Sequence, residues 1–164
     1  MELKPLPAKS VPAAIERAKQ YRLLNEPAAA KSICLDVLAV DPGNSEALTI
    51  LILAMSDDSA GTYKICDQRV EDLIAQLPSD YERAYYTGLV AERRGLAKIR
   101  SESPGSSFVA YECLTTAMSH FEEALTLSNS TGGEATLRWN TCSRLIEHNH
   151  LAPRPKEHLA ELGD

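Results

Sequence analysis

The amino-acid sequence predicts an all-α fold of antiparallel helix pairs stacked side by side. Alanine and leucine dominate, aromatics make up only 5% and β-branched runs are scarce, a composition that favours helices. Apolar residues recur at offsets of three and four, which places them on one side of a helix. Residues 11–44 read as two short amphipathic helices with a tight turn. Such a unit cannot bury both of its faces alone and needs neighbours, and its pattern returns further along the chain. The 164 residues, 44% hydrophobic and 24% charged, fit one globular domain with a substantial core.

Residues 1–10, with Pro5 and Pro7 among charges, read as an extended N-terminal arm. The first helix is expected from Pro12 to Leu24, with Ala14, Ala18 and Tyr21 on one face. Asn25 tolerates the left-handed conformation that stops a helix, and Pro27 suits the first turn of the next one. The second helix carries Ala30, Ile33, Cys34, Val37 and Leu38 inward and ends before Pro42, which disfavours helical geometry at Asp41. Asn44 can cap a third helix over 45–57, with Leu48, Leu51, Ile52 and Met55 as its apolar stripe. Residues 57–61 read as a turn. A fourth helix is expected over 62–76, with Ile65, Cys66, Val70, Leu73 and Ile74 facing inward and Pro78 ending it.

Ser79 and Glu82 have the spacing of a capping box at the start of the fifth helix. There Ala84, Gly88 and Ala91 form a smooth strip that another helix can approach closely. The helical pattern runs past Gly95 to Arg100, and residues 101–107 are the clearest loop in the chain. The sixth helix is expected over 108–126, with Ala117, Phe121 and Ala124 inward. The third pair is therefore lengthened, and Leu96 and Ile99 are expected to pack on Phe108 and Tyr111. After a break at 129–133, a seventh helix over 134–149 puts Ala135, Trp139, Cys142 and Ile146 on one face. Pro153 and Pro155 break the chain again, and residues 156–162 are expected to form a short capping helix that uses Leu159 and Leu162.

In residues 11–44, Ala18, Tyr21, Ala30 and Pro42 fall at the spacing of a tetratricopeptide (TPR) repeat, and this stretch resembles that family. Ala14, Arg17 and Cys34 depart from it, standing where tryptophan, leucine and an aromatic are usual. Ala117, Phe121 and Ala124 are similar to the family's second-helix pattern, and Trp139 to its first-helix tryptophan. The resemblance covers 11–150 as units 11–44, 45–78, 79–130 with an extended hairpin, and a partial 134–150, followed by a cap at 151–164. It implies a right-handed superhelix whose concave face is lined by the first helix of each pair. On that face it places Ile15, Lys19 and Arg22; then Thr49, Leu53 and Ser56; then Tyr85, Leu89, Glu92 and Arg93; then Asn140 and Arg144. A groove of apolar and basic groups implies an extended or helical peptide, with acidic groups, as its ligand. Some members of the family clamp a C-terminal carboxylate. The matching positions here, Ile15, Lys19, Ile50, Glu82 and Tyr86, cannot make that clamp, so no chaperone-tail peptide is expected.

The net charge of −6, with no cluster of lysine or arginine, argues against a nucleic-acid partner. No apolar run reaches the roughly 18 residues that span a bilayer, and the N-terminus lacks an apolar signal core; a cytoplasmic protein without membrane contact is expected. Cys34, Cys66, Cys113 and Cys142 are spread one per helix, the pattern of reduced thiols used as small hydrophobes. No phosphate-binding glycine loop, H-E-x-x-H motif or Ser/His/Asp arrangement occurs. The expected function is therefore non-catalytic protein binding, with no cofactor and no metal. Two alternatives stand beside it. One is a self-associating assembly subunit, for which a homodimer is the simplest form. The other is a small-molecule or metal-responsive regulator built on Cys142, His148 and His150.

Overall fold

Short-range hydrogen bonding sets the ends of the helices. In the computed structural model, which describes residues 2–58, 68–101, 103–128 and 133–155, α1 (Val11–Leu23) ends where Asn25 takes a left-handed φ of 59°. The Asn25 amide donates to the Arg22 carbonyl (3.0 Å) and the Glu26 amide to the Tyr21 carbonyl (2.8 Å), the paired bonds of a Schellman stop. Pro27 then opens α2 (Pro27–Val40). The Asn44 side chain accepts from the Ala47 amide at 2.9 Å and caps α3 (Ser45–Asp58). α4 covers Gln68–Ala75 among the described residues; the expected start near Thr62 and the inward positions Ile65 and Cys66 lie outside them.

Ser79 and Glu82 form the capping box reciprocally. The Glu82 amide donates to Ser79 Oγ (3.1 Å) and the Ser79 amide to Glu82 Oε2 (3.2 Å). They start α5 (Asp80–Ile99), which runs straight through Gly95. α6 (Ser106–Leu127) begins two residues before the expected Phe108, because Gly105, at a left-handed φ of 75°, turns the chain into it. α7 spans Gly133–His148 and stops like α1: His150 has a φ of 50°, and the Leu151 amide reaches the Ile146 carbonyl. The expected capping helix over 156–162 lies outside the described residues. The arm is not extended throughout. Residues Ala8–Ser10 form a 3-10 turn, and Leu6 packs on the core because its side chain finds apolar cover there.

The chain divides into two compact units, Met1–Tyr86 and Thr87–Asp164, with the division inside α5. In the first, α2 packs against both α1 and α3, α3 against α4, and α1 also touches α3. The core joins Ile15 and Ala18 of α1, Cys34 and Val37 of α2, and Ala47, Ile50 and Leu51 of α3. α3 has neighbours on several sides, which is why Leu48, Ile50, Leu51, Ile52 and Ala54 are all buried on one helix. Each large aliphatic side chain removed from water contributes roughly 1.5–3 kcal/mol.

In the second unit α6 packs against α7, and residues 87–99 of α5 lie against α6 at two glycines. A Cβ at Gly88 would stand 2.8 Å from the Phe121 ring and 3.2 Å from the Ala117 carbonyl oxygen. One at Gly95 would stand 2.9 Å from Leu114. Ala117, Phe121 and Leu114 are fully buried. Each unit is thus a run of helix–turn–helix pairs stacked in chain order. Leu96, Ile99, Phe108 and Tyr111 are each half-buried, and Arg154 lies over the Phe108 ring, 5.9 Å from its centre. Among the described residues no helix is long and apolar enough to cross a membrane.

Candidate functional site

In the first unit, α1 and α3 lie side by side and two ion pairs join them. Lys19 bonds Glu16 one turn away on its own helix (2.7 Å) and also Glu46 on α3. Arg22 donates from Nε and Nη2 to Asp57 Oδ2, at 3.1 and 3.0 Å. The two carboxylates beside Lys19 push its ammonium pKa up, although the group is exposed. Thr49, Leu53 and Ser56 are half-buried on α3, and Ser56 Oγ donates to the Ile52 carbonyl at 2.7 Å. Ile15 is only 6% exposed and belongs to the core. It sits three residues before Ala18, so the phase that buries Ala18 buries Ile15 as well.

Tyr85 is buried where Tyr81 stacks on it and Tyr86 meets its edge. In the second unit Leu89 and Glu92 are buried, Arg93 and Asn140 half-buried and Arg144 exposed. Ile15, Tyr85, Leu89 and Glu92 therefore offer a ligand little side-chain surface. The five clamp positions have other uses. Ile15 and Ile50 are core, Lys19 is paired, Glu82 caps α5 and Tyr86 packs on Tyr85.

Glu92 is the one buried charged residue among those described, at 2% exposure. Its Oε1 accepts from Arg138 Nη1 at 3.3 Å, and no donor among the described residues reaches the buried Oε2. Burial pushes the Glu92 carboxyl pKa up, and Arg138 and Arg93 only partly oppose this. The Cys142 thiol is pushed up to about 12 by burial and then by the Glu92 charge. Burial likewise raises Cys34 to about 11, against a lowering by Arg22. Such thiols are neutral and inert. His148 and His150 are exposed while Cys142 is fully buried, and no group of three or more His, Cys, Asp or Glu among the described residues could hold a metal ion.

Sequence reasoning missed Glu46 and Asp57, the partners of the expected basic groups, and Arg138, the partner of Glu92. Each of these pairs joins residues from different helices, so no spacing along a single helix could have found it. It also missed the bond from Trp139 Nε1 to Glu122 Oε1, at 3.0 Å, for the same reason. No family model matches the chain, and no curated protein or solved structure matches it.

Proposed function

We propose that this chain is a non-catalytic interaction module of TPR-like repeats, which binds a peptide or helix of another protein along the first helices of its pairs. The observation that carries the reading is the contact between α1 and α3, fixed by the Lys19–Glu46 and Arg22–Asp57 pairs. The first helices of two successive pairs stand next to each other, as a repeat stack requires for a continuous binding face. Thr49, Leu53 and Ser56 provide half-exposed surface of mixed character beside those pairs. Lys19 and Arg22 already hold carboxylates of their own chain. Discrimination for an acidic ligand in this unit is therefore modest, and shape and apolar contact at Leu53 dominate. A cytoplasmic setting and the absence of a chaperone-tail ligand belong to the same reading.

The test is a selection of displayed random peptides against the full chain, followed by affinity measurement with the Leu53→Glu variant. Selected peptides are expected to lose about tenfold or more in affinity. Peptides that bind the variant and the parent equally would remove this face from the proposal. Arg22→Glu is a poorer test, because it also sets two carboxylates against each other at Asp57.

A further inference from the structure

A second apolar surface lies elsewhere in the first unit, in a trough of about 310 Å³ between α2, α3 and α4. Leu51 and Met55 of α3 form its floor, Leu35 of α2 one wall and Leu73 of α4 the other. The volume is at the lower end of what takes a small ligand, roughly 300–1,000 Å³. Its wall positions repeat at helical offsets, residues 31 and 35 on α2 and residues 69, 72, 73 and 76 on α4. It is therefore elongated along two helices. Leu35 is 51% exposed, so the wall it contributes is open to a ligand.

The charges at the rim say what would cover it. Lys31 stands one turn from Leu35 on the same face of α2, and no acid pairs with it among the described residues. On the opposite wall Asp72 keeps its charge, its Oδ1 accepting only from the neutral Gln68 amide at 3.1 Å, and Arg69 lies on the same wall. The charged lining residues are thus two cations, Lys31 and Arg69, to one carboxylate, and the balance beside the trough is positive.

We infer that this trough docks an amphipathic helix of a partner protein, which sets two large apolar side chains one turn apart between α2 and α4 and a carboxylate against Lys31. Helices dock in apolar grooves through anchors spaced by three or four residues. Truncated to its apolar anchors, such a helix would bind in either direction; the Lys31 contact selects one. This surface is separate from the α1–α3 face and does not depend on it.

The test uses three fluorescein-labelled, alanine-based helical peptides with the full chain, read by fluorescence polarisation. One carries two leucines four residues apart with a glutamate one turn on. The second has lysine for that glutamate, and the third has alanine for both leucines. The first is expected to bind best, to lose about tenfold in affinity with Leu35→Asp, and to weaken with Lys31→Glu while the lysine peptide gains. Leu35 and Lys31 are both solvent-accessible, and unchanged circular dichroism of the two variants establishes that they fold. Equal binding of all three peptides, binding indifferent to Leu35→Asp, or no binding at all would overturn the inference. So would a concentration-dependent dimer in sedimentation that Leu35→Asp abolishes, since the trough would then belong to a second copy of the chain.

Discussion

Glu92 shows how a single residue can work against the fold that contains it. Its carboxylate has one long bond, to Arg138, and one oxygen with no donor among the described residues. A buried charge held this loosely costs more than its pairing returns. Its pKa is raised in the folded chain, so the folded state keeps the proton to a higher pH than the unfolded state does. Its contribution is most favourable below the ordinary glutamate range and declines as pH rises from that range through the raised value. Glu92→Gln removes the decline. Chemical denaturation is expected to show the variant more stable than the parent at pH 7, by about 1 kcal/mol, with the gain shrinking toward pH 4. Gly88 makes the opposite case, since its lack of a side chain is what the fold uses. Gly88→Ala gains about 1 kcal/mol of helix propensity but drives a methyl into the buried Phe121 ring and the Ala117 carbonyl, an overpacking that costs typically about 1–3 kcal/mol. A net loss of melting temperature is expected.

At the scale of the element, the sequence is most legible where local chemistry decides. The Asn25 stop, the Asn44 cap and the Ser79–Glu82 box each involve groups within a few residues of one another, and all form. Asn44→Ala is expected to destabilise the chain by about 1 kcal/mol, measured by urea denaturation. The Gly88 approach is also readable, because small residues at helical spacing advertise a close neighbour, whereas the Gly95 approach lies beyond the strip of Ala84, Gly88 and Ala91. The starts of helices are less so. α6 begins ahead of its apolar pattern because Gly105 supplies a left-handed residue that such a pattern does not reveal. Side-chain roles across helices are the least legible. The TPR resemblance puts Ile15 on a binding face, yet it lies in the core, because amphipathic phase alone does not say how many neighbours a helix has. The pairing of Lys19 with Glu46 and of Arg22 with Asp57 depends on which helix comes alongside, and no local pattern encodes that.

For the molecule as a whole, stacking in chain order within each unit is what the recurrent helical pairs foretell, and it is the physical basis of the proposed binding role. A helix pair buries one side against the next pair and leaves another side available. Lys19 and Arg22 are occupied by carboxylates of their own chain, Glu46 and Asp57. On the proposed reading, a ligand on the α1–α3 face is held mainly by contact with Thr49, Leu53 and Ser56. Amide chemical-shift mapping of the full chain, titrated with a peptide selected from a random library, tests this most directly. The largest shifts are expected at Thr49, Leu53 and Ser56, with smaller ones at Lys19 and Arg22. Saturable binding that leaves these five amides unmoved would contradict a binding role for this face.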